Sequence, residues 1–596
     1  MKPLTNLVEL YQQSCARYAD REILGTRHAG AWRWVTYRRL RYLIDDVRAG
    51  LAGLGVEPGD RVAFIGDNSV AWAAAAYATY GLAAAFVPMY QAQRPSEWRF
   101  ILADCGARVV FVATEAAYDA VQGMRASLPR LGHVIGLARA DGAPDSWAGL
   151  VASGTARPVE ARSPDPQQIA GFIYTSGTTG EPKGALLSHR NITSNIEAVH
   201  QVIQLSPNDR YLSFLPWAHS YGQTVELHML LSYGASLAIN DELPRLLDNL
   251  AEVKPTVLVA VPRIFHRIYE VVTREIAGRP AVLQKLVQRG VQQAIKRGRG
   301  EPLGALERIE LAFEDAMIFQ KIRDRFGGRL RYAFTGSATI SPQVAEFIDA
   351  LGITVYEGYG LTETSPIVTT NSPAGRRFGS VGKVLPGVRV EIDTSVINDK
   401  KQGEIVVYGP NVMLGYHNRP AETAAALMPD GGLRTGDLGY FDDDGYLYIT
   451  GRIKEQYKLE NGKYVMPSVL EEALKLSPLI ANVMVYGDGR PFNVAVVVPN
   501  VPALQAWAQD RDLTLHEIPA RDDRVHALIV AEIERLSAGW KGFEKPRAIA
   551  VVDEDFTVGN GLLTPTLKLK RREAVARYRE VIDGLYLRAA VREEQV

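Results

Sequence analysis

Eleven residues, Tyr174-Thr-Ser-Gly-Thr-Thr-Gly-Glu-Pro-Lys-Gly184, concentrate three threonines, a serine, three glycines and a lysine. Such a loop suits a polyphosphate. Glycines let backbone N–H groups turn inward, hydroxyls add donors, and the lysine supplies charge. The spacing is not that of the Walker loop G-x-x-x-x-G-K-[ST], because Lys183 lies six residues after Gly177 and is followed by Gly184. Taken alone, the stretch also fits a flexible surface turn.

Further segments follow in order. They are Tyr356-Glu-Gly-Tyr-Gly-Leu-Thr-Glu-Thr-Ser-Pro366, Arg434-Thr-Gly-Asp-Leu-Gly439, Gly451-Arg-Ile-Lys-Glu-Gln-Tyr-Lys458 and Asn560-Gly-Leu-Leu-Thr-Pro-Thr-Leu-Lys-Leu-Lys-Arg571. With the first loop they resemble the adenylate-forming superfamily of acyl-CoA synthetases, luciferases and peptide-synthetase adenylation domains. The resemblance runs over nearly the whole chain.

That resemblance implies roles. Ser176, Gly177, Thr178, Thr179, Gly180 and Lys183 match the loop that holds the β- and γ-phosphates of ATP. Glu363 matches the Mg²⁺ ligand, a hard oxygen donor suited to that ion, with Thr175 as a second contributor. Tyr359 is similar to the aromatic stacked on adenine, within Glu357-Gly358-Tyr359-Gly360, where the glycines would let the base approach. Thr362 would contact the α-phosphate, and Gly336-Ser337-Ala338 would line the other adenine face. Asp437 would accept the ribose hydroxyls, with Arg452 as its companion. His219, in Leu215-Pro-Trp-Ala-His-Ser-Tyr-Gly222, matches a gate at the acyl site, with Trp217 and Tyr221 near it. Lys568 aligns with the adenylation lysine, although Leu567 stands where the family usually has glycine and Lys570 lies close by. Lys454 aligns with the hinge about which a lid would turn, exchanging Lys568 for a face around Gly451–Lys458.

The stretch Lys458-Leu-Glu-Asn-Gly-Lys-Tyr-Val-Met-Pro467 narrows the resemblance to long-chain fatty acid–CoA ligases. ATP, Mg²⁺, CoA and a fatty acid are the implied ligands. A fatty acyl-AMP ligase loading a carrier protein, a ligase for another acid, and a silent acyl-binding protein are the alternatives.

The composition fits a cytoplasmic enzyme. The chain has 596 residues, 47% of them apolar and 22% charged, which implies several domains. Lysine plus arginine and aspartate plus glutamate both number 67, which speaks against bulk nucleic-acid binding. Two cysteines, Cys15 and Cys105, imply no disulfide framework. Residues 276–300 hold Arg279, Lys285, Arg289, Lys296, Arg297 and Arg299 and no acid. This run reads either as a solvated basic face or as a peripheral contact with anionic lipid or CoA phosphates. Oligomeric state is open.

The elements that must position these residues are legible as short buried strands alternating with helices. Strands are expected at Val62–Ile65, Ala83–Val87, Val109–Val112, Ile169–Tyr174, Val257–Val261 and Leu330–Phe334. The uncharged stretch Val70–Met89 reads as a buried helix and strand rather than a membrane span, because alanine is only weakly apolar. The block Arg263–Arg329 resembles the helical insertion that long-chain ligases carry, and shorter strands from Val388 form a small β-rich subdomain. After Lys454 come a helix at Pro467–Leu474, strands at Ile480–Tyr486 and Asn493–Val498, and helices at Arg524–Leu536 and Lys570–Tyr586. The expected fold is α/β. A large N-terminal domain (1–453) of layered α/β subdomains plus the β-rich subdomain precedes a small mobile α+β lid (454–596).

Overall fold

The computed structural model describes residues 4–175, 181–299, 301–336, 340–397, 401–564 and 567–593. Its chain packs as two units: Met1–Glu391 with Val406–Thr435 and Phe441–Tyr448, and Ile392–Ile405 with Gly436–Tyr440 and Ile449–Val596. The four strands Arg389–Asp393, Gly403–Tyr408, Leu433–Phe441 and Leu447–Arg452 each have residues in both units.

The first unit is built on two sheets. One has seven strands, ordered Gly415–Tyr416, Lys183–Ser188, Ile169–Thr175, Ala85–Met89, Arg61–Ile65, Val109–Val112 and His133–Gly136. Its central strands are parallel and buried on both faces, which is why they read as continuous apolar runs. Val62 and Phe64 face one apolar cluster, and Ala63 and Ile65 face the other. The helix Val70–Gly81 is almost wholly buried. Ala83 then adopts φ +56°, so the next strand begins at Ala85, two residues later than the apolar run suggests.

The second sheet has nine strands, with Thr354–Gly360 between Ile367–Thr370 and Tyr332–Thr335, followed by Val257–Ala260 and Arg210–Ser213. The insertion folds into the helices Pro262–Ala277, Ala281–Gly298, Ala305–Glu314 and Gln320–Arg325, with a π-helical turn at Asp315–Phe319. Among the described residues no helix is long and apolar enough to cross a membrane. Cys15 and Cys105 are buried free thiols, each pushed up to about 12 chiefly by burial.

In the second unit Ile480–Tyr486 pairs antiparallel with Asn493–Pro499, which pairs parallel with Pro546–Val551. Val485 and Val497 face a cluster with the helix Asp523–Leu536, while Met484 and Val496 face one with the C-terminal helices. The expected helix Lys570–Tyr586 is two helices, Arg571–Arg577 and Arg579–Glu593, because Tyr578 leaves helical geometry at φ −104°, ψ 19°.

Candidate active site

The glycine-threonine loop springs from a fixed base. Ile169–Thr175 and Lys183–Ser188 form a hairpin in which Thr175 lies opposite Lys183 and Tyr174 opposite Gly184. The Thr175 hydroxyl donates to the Lys183 carbonyl at 3.5 Å. Ser176, Gly177, Thr178, Thr179 and Gly180 lie outside the described residues, as does Ser337.

Lys183 does not stand alone. The short strand Gly415–Tyr416 pairs with the hairpin, Tyr416 opposite Ala185. This brings the Tyr416 ring beneath the lysine, with Nζ 5.6 Å from its centroid. Such a cation–π contact contributes about 0.5–1 kcal/mol at an exposed site. Glu422 Oε1 lies 3.8 Å from the same Nζ. The Tyr416 hydroxyl donates to Glu363 Oε1 at 2.7 Å. Burial, and after it the Glu363 charge, hold the Tyr416 phenol far above its ordinary value, so it remains a donor. The Glu363 carbonyl accepts the Met413 amide at 2.9 Å. Tyr416 therefore links the lysine and the carboxylate that sequence motifs pick out separately. No motif signals it, because only strand pairing brings Leu414-Gly-Tyr-His417 to this place.

Glu363 sits on the single turn Thr362–Thr364 after the strand Thr354–Gly360. The glycines of that strand have a packing reason. A Cβ on Gly360 would lie 1.8 Å from the Pro366 carbonyl oxygen, and one on Gly358 would lie 3.0 Å from the Thr369 carbonyl oxygen. Close approach of neighbouring backbone thus already demands glycine at 360. Glu357 is buried and accepts the Ile340 amide at 3.2 Å. Burial pushes its carboxyl up to about 8. It ties its strand to the end of the 336–340 segment.

A cavity opens beside these residues. Val199, Ile203, Val225 and Met229 give it apolar walls, and His219, Gly336 and Tyr359 line it too. A Cβ on Gly336 would touch the Tyr221 ring at 3.4 Å. His219 Nδ1 accepts the Tyr221 amide at 3.2 Å. Beside it, the Ser220 and Thr362 hydroxyls share a hydrogen bond of 3.0 Å. Tyr221 lines the cavity, whereas Trp217 is fully buried in the core and donates to Glu226 at 3.3 Å. Glu226 lies in the π-helix Gly222–Met229 and also accepts the Ser213 hydroxyl and, at 3.4 Å, the Leu215 amide. Burial pushes its carboxyl up to about 8. By gripping Ser213, Leu215 and Trp217, it fixes the segment that carries His219 to the cavity wall. Sequence reasoning missed it, since a lone glutamate in an apolar helix carries no motif.

In the second unit, Asp437 is buried and Arg452 Nε lies 2.7 Å from its Oδ1. Lys454 is exposed just beyond. Lys458 lies opposite Tyr464 in a two-stranded ribbon, its Nζ 5.5 Å from that ring's centroid. Lys568 closes a tight turn. Its amide donates to Thr564 Oγ1 at 3.1 Å, and its carbonyl accepts the Thr564 amide at 2.8 Å. Leu567 takes φ +61° in that turn, a region where L-residues are strained and glycine is not. Arg571 anchors the segment, reaching Glu471 Oε2 at 2.6 Å and the Val485 carbonyl at 3.0 Å.

Among the described residues no cluster of three or more His, Cys, Asp or Glu side chains could hold a metal ion. The Glu363 carboxylate and the Thr175 hydroxyl are oxygen donors of the kind Mg²⁺ takes when substrate phosphates complete its shell.

Comparison with known proteins places the whole chain in a family. The profile of the AMP-binding enzyme family matches residues 11–417, and that of the AMP-binding enzyme C-terminal domain matches residues 454–590. Long-chain-fatty-acid–CoA ligase FadD15 of Mycobacterium bovis is 33% identical over 94% of this chain and 93% of its own length. Long-chain-fatty-acid–CoA ligase 1 of Homo sapiens is 31% identical over 98% and 87%. In fold, the chain is similar to the A domain of a carboxylic acid reductase from Segniliparus rugosus, solved with AMP and a co-purified carboxylic acid. That match has a TM-score of 0.78 at 23% identity and covers 99% of this chain and 95% of that one. It is also similar to the anthranilate CoA ligase AuaEII in complex with anthranoyl-AMP, with a TM-score of 0.73 at 21% identity over 97% and 98%. On the breadth of these matches, the chain belongs to the AMP-binding enzyme family.

Proposed function

We propose that this protein is an ATP-dependent long-chain fatty acid–CoA ligase. The observation that carries the reading is the apolar cavity beside Gly336, Tyr359 and His219. Its apolar walls suit an acyl chain, each buried CH₂ contributing about 0.8 kcal/mol. The names and near-complete coverage of the ligases described above support the long-chain assignment.

In the first half-reaction a carboxylate oxygen of the acid attacks the α-phosphorus of ATP, and pyrophosphate leaves. Two anions must meet, so the protein's task is positioning and charge compensation. Lys183 offsets phosphate charge, for which a triphosphate competes with Glu422. Tyr416 holds Glu363 in place beneath it. Glu363 and Thr175 would hold Mg²⁺, which supplies charge neutralisation on the phosphates. Tyr359 stacks on adenine, Gly336 and Ser337 leave room for the base, and Thr362 meets the α-phosphate. Ser176, Gly177, Thr178, Thr179 and Gly180 bind the β- and γ-phosphates. Asp437 accepts the ribose hydroxyls with Arg452 beside it, and Lys568 stabilises the charge that builds on the reacting oxygens. His219 gates the acyl cavity. In the second half-reaction the CoA sulfur attacks the acyl carbonyl, its proton is lost and AMP leaves. We assign Lys454 as the hinge of a lid running from residue 454 to the C-terminus, with the Gly451–Lys458 face serving this step.

The test is pyrophosphate release from ATP, Mg²⁺ and a series of acids from short to long chain, with and without CoA. Fast release with long-chain acids, and acyl-CoA as the product, is expected. Acyl-AMP that CoA cannot discharge would replace CoA by a carrier protein as acceptor. A preference for short or aryl acids would overturn the long-chain reading.

A further inference from the structure

The helix Ala305–Glu314 is packed with its apparent inside facing out. Leu311 and Glu314 are buried, yet Leu306, Ile309 and Phe313 are 76%, 68% and 58% exposed. Their i, i+3, i+7 spacing puts them on one face, and Ala305, Ala312 and Ala316 beside them are exposed as well. An apolar helix face left uncovered marks an interaction surface.

The preceding helix, Ala281–Gly298, runs alongside. Lys296 pairs with Glu307 at 3.3 Å, and Gln293 donates to Glu310 at 2.9 Å. Its own exposed stripe is Val282, 82% exposed, followed at the same helical spacing by Lys285 and by Arg289, which also lines the groove shared with Glu307 and Glu310. Arg308 flanks the apolar face on the other side, with its Nε bonded to the Leu303 carbonyl at 3.1 Å. The acids nearby are drawn toward the contact between the helices, Glu307 to Lys296, Glu310 to Gln293 and the buried Glu314 toward Gly290 and Arg289. Much of the remaining basic run is paired within the fold, Arg279 with Glu275 and Arg299 with Glu346.

We propose that Leu306, Ile309 and Phe313, flanked by Lys285, Arg289 and Arg308, form a docking surface for an anionic lipid bilayer. The chemistry is that of an interfacial helix, with an apolar face to enter the acyl boundary and cations to meet headgroup phosphates. A second copy of this chain is a poorer occupant. A two-fold contact of this face with itself would bring the flanking cations of both copies together. The inference goes beyond the proposed ligase reading, which gives the surface a use but does not enter its test.

The experiment is flotation of the full chain with phosphatidylglycerol-rich vesicles and with pure phosphatidylcholine vesicles, at low and high salt, without acid or ATP. Binding to the anionic vesicles that weakens in salt is expected. The triple variant Leu306→Ser/Ile309→Ser/Phe313→Ser should lose at least about ten-fold in binding with its thermal midpoint unchanged. The single variant Ile309→Asp should show the same direction should the triple one fold poorly. Lys285→Glu/Arg289→Glu should abolish the preference for anionic vesicles. No vesicle binding by the natural chain, or equal binding by the apolar variants, overturns the proposal. So does a dimer in solution that the triple variant converts to monomer, which would make the face a self-association surface.

Discussion

The two lysines that matter most are held in contrasting ways. Lys183 lies in a strand of a seven-stranded sheet, in register with Thr175, over the Tyr416 ring and near Glu422. Lys568 lies in a turn closed by Thr564, after a leucine at φ +61°, and is tied down three residues later by Arg571 on Glu471. A sheet position is over-determined by its neighbours. A turn is fixed by a few bonds and one anchor, so single changes should move it further.

The largest effect is expected at that anchor. Glu471→Ala leaves the half-buried Arg571 without its carboxylate and removes the acceptor of the buried Val485 amide. The loss should be about 3–5 kcal/mol, read as a fall in the denaturation midpoint of the second unit's transition. An unchanged midpoint would mean that the turn needs no anchor. Next, Lys568→Ala should slow pyrophosphate release about 10²–10³-fold with ATP binding largely kept, the scale set by removal of one transition-state charge partner. Lys183→Ala should instead weaken ATP binding more than it slows turnover. Identical profiles for the two variants would dissolve the contrast.

Tyr416→Phe keeps the ring under Lys183 and removes only the bond to Glu363. Bonds to charged groups contribute about 1.5–3 kcal/mol, so the Mg²⁺ concentration needed for half-maximal rate should rise about ten-fold. No change in Mg²⁺ dependence would separate Tyr416 from the site. The smallest effect belongs to Leu567→Gly. Glycine relieves the left-handed strain but frees the unfolded chain, for a net gain of about 0.5–1 kcal/mol. Leu567→Val should lose stability instead, and equal stability of both variants would argue against a strained turn.

Much of this was readable from local patterns. The strand Val109–Val112 and the helix Pro467–Leu474 have the bounds their apolar spacing predicts. Period and capping act over neighbouring residues, so one dimension suffices for them. The break at Tyr578 was not readable, because the apolar spacing continues across it and both helices pack in the same apolar cluster. The same limit applied to Gly360. Its type was read as room for a base, and the structure adds the Pro366 carbonyl as a nearer reason.

By itself the sequence determined which residues are on hand for chemistry: the glycine-threonine loop at 175–183, the carboxylates Glu363 and Asp437, the lysines, and the family they announce together. Residue type and order carry that information directly. Tertiary structure alone decided that Tyr416 joins Lys183 to Glu363, and that Glu226 braces the cavity wall. It also decided which side of Ala305–Glu314 faces out. Apolar periodicity would bury Leu306, Ile309 and Phe313, and the fold buries Leu311 and Glu314 instead. A helical pattern states that a face exists, and only the neighbouring chain settles what covers it.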